Sequence, residues 1–180
     1  MSGKSKFSRK MIVNSILCAV VVAVFSVSFS FLTRDISAAD APIYKGAAPD
    51  KVSLMVNVYW GTEYIQPMLD IFAENGVTTT FFVGGIWVKD NEEMLRKIHE
   101  AGHEIGNHGY FHKDHKKMNY ERNKEEISVT HKLVQSILGV EMNLFAPPSG
   151  SFGDTTIQVA ENLGYKTIMW SLDTIDWRDK

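Results

Sequence analysis

Gly102-His103-Glu104-Ile105-Gly106-Asn107-His108-Gly109-Tyr110-Phe111-His112 reads as a helix stop, a short strand, and a loop with two histidines four residues apart. Five of the six histidines in the chain lie between His99 and His115. Imidazole is the commonest metal ligand and the usual proton carrier near neutral pH. Strand-end loops are where α/β chains place their chemistry. The competing reading is that these histidines are ordinary solvated loop residues.

Strands and helices alternate on either side of this stretch. Val52, Leu54, Val56 and Val58 alternate with polar or intermediate residues, which predicts a first strand. Ile65, Met68, Leu69 and Phe72 recur at helical spacing before Gly76. Thr78 to Val83 is β-branched and aromatic, hence a strand. Gly84-Gly85 predicts a loop, and Asp90 with Glu93 a helix start. Met94, Leu95, Ile98 and Ala101 form that helix's apolar stripe, closed by Gly102. A polar helix follows from about 119 to 138, with Ile127, His131, Val134 and Leu138 on one face, so His131 reads as a helix-face residue. Leu144 to Pro147 predicts a strand, Asp154 a helix cap, and Lys166 to Leu172 a fifth strand. Glycines 76, 102, 139 and 164 each end a helix and precede a strand. Such alternation predicts parallel strands in an α/β fold. Five units are present where a closed eightfold barrel needs eight, so the sheet is either open or part of a barrel.

The N-terminal 39 residues read differently. Lys4, Lys6, Arg9 and Lys10 precede an uncharged apolar run from Met11 to Leu32. This is the layout of a secretory signal or a signal anchor. Its 22 residues match the roughly 20 needed to span a bilayer. The basic flank predicts a cytoplasmic tail, with the body exported. The body is then either tethered outside the membrane or released by cleavage near Ser37-Ala38-Ala39. Residues 40–50 read as a linker, and 51–180 as the folded domain. Residues 40–180 hold 14 basic and 20 acidic residues, with no basic run, which argues against nucleic acid as a partner. Cys18, the only cysteine, lies in the apolar run, so the body has neither disulfide nor thiolate chemistry.

The strand-end loops gather the candidate residues. They are Tyr59 to Glu63, His108 to His112, Ala146 to Gly150, and Asp173 to Trp177. Two histidines and one carboxylate would make a hydrolytic zinc-type centre with a position open for water. His108 and His112 supply the imidazoles; the carboxylate is the open question.

The segment Glu104 to His112 resembles the metal-binding segment of polysaccharide deacetylases with the NodB homology domain, carbohydrate esterase family 4. Pro147-Pro148-Ser149-Gly150 resembles their groove-wall motif, and Trp170 to Trp177 their Asp-x-x-Asp-Trp motif. The resemblance runs from about Asp50 to the C-terminus with the motifs in family order. It implies a distorted (β/α) barrel, here incomplete at the C-terminus. It also implies removal of N-acetyl groups from N-acetylglucosamine or N-acetylmuramic acid units of a cell-wall polysaccharide or peptidoglycan. A divalent metal, zinc in the first instance, would be held by one Asp and two His. In that scheme Asp176 orients an acid His, while Tyr59, Trp60, Pro147, Pro148 and Trp177 line the substrate groove.

This sequence departs from the family pattern at decisive positions. The family's first motif, Thr-Phe-Asp-Asp-Gly, is Asn57-Val58-Tyr59-Trp60-Gly61 here. Tyr59 stands at the base position and Trp60 at the metal-Asp position. Ala146 stands where the family has an Arg that pairs with the base. The two losses fit together, because an Arg left without its Asp would be a buried unpaired charge. Glu63 is the one carboxylate left in the first loop, so it is expected as replacement metal ligand or base. Alternatively it is a first-turn residue favoured by the helix dipole. The Trp-Gly-x-Glu-Tyr variant resembles a divergent subgroup linked to sporulation. The family's last motif, which carries the acid His, falls beyond Lys180. Two functions follow: a metal-dependent deacetylase, or, since the base Asp, metal Asp, Arg and acid His are missing, a catalytically silent glycan-binding or scaffold member.

Overall fold

The computed structural model describes residues 14–23, 41–175 and 178. The chain divides into two units, residues 1–38 and 39–180. In the first, residues 14–23 are helical and their apolar side chains are exposed. The rest of the apolar run, 11–13 and 24–32, lies outside the described residues. Among the described residues, no helix is long and apolar enough to cross a membrane.

The second unit is built on five parallel strands: β1 (Met55–Val58), β2 (Thr80–Val83), β3 (Glu104–Asn107), β4 (Leu144–Phe145) and β5 (Lys166–Thr167). They lie side by side in chain order, as expected for strand–helix alternation. Between them run α1 (Ile65–Glu74), α2 (Gly85–Asp90), α3 (Glu92–Glu100), α4 (Tyr120–Leu138) and α5 (Asp154–Asn162). The helix-ending glycines 76, 102, 139 and 164 all take positive φ, between 62° and 85°. Phe81, Val83, Ile105 and Phe145 from the strands pack with Leu95, Ile98, Ile127, Val134 and Val159 from the helices, all buried. Helix α4 packs against β3, α2, α3 and α5, so it braces the strand that ends in the histidines.

Several boundaries differ from the sequence reading. The first strand starts at Met55 rather than Val52. Val52 is 87% exposed, so its place in the alternating pattern buries nothing. Gly84-Gly85 opens a helix rather than a loop. The Gly84 N–H donates to the Val58 carbonyl and the Gly85 N–H to the Gly109 carbonyl, so both glycines are fixed between neighbouring strand ends. A Cβ on Gly85 would lie 2.2 Å from the Tyr110 ring and 2.7 Å from the Thr130 hydroxyl, which only glycine avoids. Helix α3 begins at Glu92 with Asn91 before it, and the Asn91 side chain bonds back to the Trp87 carbonyl instead of capping. Asp154 lies inside α5 as its first residue, with Gly153 at the cap position.

The fifth strand is only two residues long. Beyond it, Ile168 pairs with Ile43, through Ile43 N–H to the Thr167 carbonyl and Met169 N–H to the Ile43 carbonyl, both 2.9 Å. The segment read as a linker therefore adds one rung beside β5.

Candidate functional site

The carboxyl ends of β1, β3 and β4 bring Tyr59-Trp60, His108 and Ala146-Pro147-Pro148 to one side of the sheet. His108 is buried, and its Nδ1–H donates to the Ala146 carbonyl at 2.7 Å. That bond fixes the tautomer and leaves Nε2 with its lone pair. His112 lies one loop turn further on, in the left-handed region at φ 52°. A residue other than glycine pays for that conformation, and such strain collects at functional loops. The two imidazole centroids are 5.1 Å apart, at 62° to one another.

The other faces of His112 meet aromatic rings. Tyr59 lies 4.7 Å away at 36°, and Trp60 5.6 Å away at 43°. Tyr59 and Trp60 touch edge to face at 5.5 Å, and the Tyr59 hydroxyl donates to the Phe111 carbonyl at 3.3 Å. Glu63 does not join this group. Its carboxylate folds back over Gly61 and accepts from the Thr62 N–H at 2.9 Å, in an exposed turn. Among the described residues, no three His, Cys, Asp or Glu side chains are placed to hold a metal ion. Pro147 and Pro148 are buried where the chain leaves β4. Asp176 and Trp177 lie outside the described residues.

A polysaccharide deacetylase family model matches residues 45–168. The chain belongs to the polysaccharide deacetylase family. Its family of hydrolases includes the peptidoglycan-N-acetylmuramic acid deacetylase PdaA of Bacillus subtilis, 34% identical over 64% of this chain and 44% of that protein. The uncharacterized protein YlxY of Bacillus subtilis is 45% identical over 76% of this chain and 43% of its own length. Among solved structures, BA3943, a CE4 family pseudoenzyme from Bacillus anthracis, superposes with a TM-score of 0.75 at 38% identity, over 81% of this chain and 52% of that one. A BA3943 mutant described as having restored enzymatic activity superposes equally well, at 36% identity. The chain thus spans less than half the length of the curated relatives it matches.

Polysaccharide deacetylases generally work with a divalent metal. His108 suits such an ion, because its ring is anchored through one nitrogen and offers the other. The set as a whole does not fit. Two imidazoles are one donor short of the three protein ligands of a hydrolytic zinc centre. The remaining neighbours of His112 are the rings of Tyr59 and Trp60.

Burial pushes His108 from the ordinary 6.5 down to about 3, against the raising effect of the Ala146 bond. Burial also lowers His112 and His115. These rings are neutral in the folded chain at pH values where the unfolded chain would protonate them. The unfolded state then binds more protons, so stability rises with pH across this window. His108's contribution is intact above about pH 6.5 and is lost progressively as pH falls towards 3. One such proton gives a slope of about 1.4 kcal/mol per pH unit. Moving from about pH 7.5 to about pH 5 is therefore expected to remove about 2 kcal/mol through His108 alone. Urea denaturation at the two pH values measures this, and equal stabilities would contradict it.

Three supporting roles, those of Glu126, Asn107 and Asn123, escaped the sequence reading. The Glu126 carboxylate, buried on α4, accepts from the Tyr110 and Phe111 N–H groups at 2.8 and 2.7 Å and so shapes the histidine loop. Asn107 accepts from the Gly109 N–H and donates to the Ile127 carbonyl and the Tyr165 hydroxyl. Asn123 bonds the Nδ1 edge of the buried His115 at 2.7 Å. Asn123, Glu126 and Thr130 recur at three and four residues and are all buried. That polar stripe beside the apolar one was the available signal.

Proposed function

We propose that this chain is a catalytically silent, glycan-binding member of the polysaccharide deacetylase family. One observation carries this reading: the rings of Tyr59 and Trp60 pack on His112 at the positions where the family pattern has its base and metal carboxylates. A phenol and an indole replace both acidic groups, and the nearby Glu63 carboxylate is committed to Thr62. Losing a positioned base costs typically about 10²–10⁴-fold in rate. The similarity to a pseudoenzyme at 38% identity supports the same reading. The peptidoglycan deacetylases among its relatives support a cell-wall glycan as the ligand. The basic start and apolar run support an exported domain, tethered through the N-terminal segment or released from it.

A second reading is metal-dependent N-deacetylation, favoured by the anchored imidazole of His108. It requires Glu63 to leave Thr62 and reach the imidazoles. Acetate release from chitotetraose and from peptidoglycan, with and without added zinc, separates the two. The silent reading predicts acetate at the level of the protein-free blank in both cases, while the chain still co-sediments with peptidoglycan. Zinc-stimulated acetate release would overturn it.

A further inference from the structure

A file of hydrogen bonds runs from the surface of α4 to the turn between the histidines, and its donors can point only one way. Its inner end is Asn107, fully buried at the end of β3. The Asn107 oxygen accepts from the Gly109 N–H at 2.9 Å. Its amide nitrogen donates to the Ile127 carbonyl at 2.8 Å and to the Tyr165 hydroxyl at 3.2 Å. A backbone donor and a backbone acceptor thus decide which end of the amide faces which way. Turned over, the amide would set N–H against N–H at Gly109 and oxygen against oxygen at Ile127.

The rest of the file follows from that orientation. The Tyr165 oxygen accepts from Asn107, so its proton is left for His131 Nδ1, 2.5 Å away. Nδ1 is then the acceptor, and the ring proton of His131 sits on Nε2, 2.8 Å from Glu141. Gln135, one turn along α4, donates to the other Glu141 oxygen. From outside its own helix, Glu141 on the loop after α4 and Tyr165 just before β5 face His131. Tyr165 is 5% exposed, and burial raises it to about 12, so it keeps its proton. The side chains of His131 and Glu141 are 21% and 69% exposed, so water reaches this end while the other end is sealed.

A proton taken up by His131 turns Nδ1 from acceptor into donor. The Tyr165 oxygen then faces two donors, and its own proton meets no lone pair, because Asn107 presents N–H to it. A buried hydroxyl without an acceptor is costly. Relief comes when Asn107 and Tyr165 part, and Asn107 is the side chain that holds the Gly109 N–H. Gly109 has φ 70°, and a Cβ there would lie 2.8 Å from His115 Nε2, so the turn between His108 and His112 is tightly seated. We propose that His131 is a surface proton switch for the histidine loop, read through Tyr165 and Asn107 at the Gly109 turn, which neutral His131 holds and charged His131 loosens. Coupling of this kind is reciprocal, so the seated turn opposes protonation of His131 as strongly as protonation loosens the turn. The switch needs neither a metal nor a glycan.

Nuclear magnetic resonance titration of the full chain with acid tests it, following the His131 ring and the Gly109 amide together. In wild type the Gly109 shift is expected to show an inflection at the midpoint of the His131 ring. His112 and His115 lie close to Gly109 in the chain, so variants assign that inflection. Glu141→Gln removes an exposed carboxylate that favours the charged ring, and His131 should titrate at lower pH. The Gly109 inflection should move with it by the same amount. His131→Gln should abolish the inflection. Tyr165→Phe should leave the His131 ring titrating and the Gly109 shift flat at that midpoint. No Gly109 inflection at the His131 midpoint in wild type would overturn the switch. So would an inflection that stays in place while Glu141→Gln moves the ring, or one that survives His131→Gln. Glu141 and His131 both reach the surface, so these two variants decide the matter even if Tyr165→Phe fails to fold.

Discussion

Trp60→Asp is expected to raise zinc affinity by at least about 100-fold over wild type, because it adds a direct third ligand where even outer-shell partners are worth about 10–100-fold. His108 already presents an anchored ring with a free lone pair, and His112 lies 5.1 Å from it. The new carboxylate would replace an indole that packs on His112. Trp60 is exposed, so removing it leaves no cavity in the core. Isothermal titration with zinc measures the gain. Unchanged affinity would mean that the two imidazoles are not arranged to share an ion. Turnover needs more than metal. Tyr59→Asp supplies a base and Ala146→Arg its partner, and the two belong together. Ala146 is fully buried, and a guanidinium placed there alone would be an unpaired buried charge. The triple variant, with a metal carboxylate, a base and its partner in place, is expected to release acetate from chitotetraose above the wild-type level, and acetate at the wild-type level would contradict this.

Asn107→Ala is expected to destabilise the domain by about 3 kcal/mol or more. The Asn107 side chain is fully buried and serves three partners: the Gly109 N–H, the Ile127 carbonyl and the Tyr165 hydroxyl. Each buried group left without its partner costs about 1–3 kcal/mol. The Tyr165 hydroxyl also meets His131 Nδ1 at 2.5 Å, and His131 Nε2 lies 2.8 Å from Glu141, so one network joins the histidine loop to the surface of α4. Burial raises Tyr165 to about 12, so its hydroxyl stays protonated and able to donate. Urea denaturation of the variant checks the figure, and a loss under about 1 kcal/mol would show that water replaces the amide.

The α/β order, the parallel strands and the helix-ending glycines were legible because each depends on local pattern. The short strand predicted after Gly102 is Glu104–Asn107, set between the glycine that ends α3 and the loop that carries His108. Leu144 to Pro147 and Lys166 to Leu172 were read too long. Their β-branched and aromatic residues signal extended chain, but pairing stops where the partner strand ends. Gly84-Gly85 misled for a different reason: glycine is there for close approach to Tyr110, which is a tertiary fact. The two histidines four residues apart were legible in the sequence, and the fold brings their rings to 5.1 Å; the reading of Tyr59 and Trp60 as replacements rests on the family resemblance. The engagement of Glu63 with Thr62 was not legible, because a rotamer choice in an exposed turn leaves no trace in sequence. Asn107 acts through the chain folded around it, and only its burial reveals the role, whereas Glu126 stands in the polar stripe of α4.

Anomalous diffraction at the zinc edge, on wild-type crystals grown in zinc, asks most directly whether aromatic rings have displaced the metal. The expected map has no ion between His108 and His112, with the Tyr59 and Trp60 rings against His112. An ion bridging the two imidazoles, with Glu63 turned away from Thr62 to complete its shell, would contradict that.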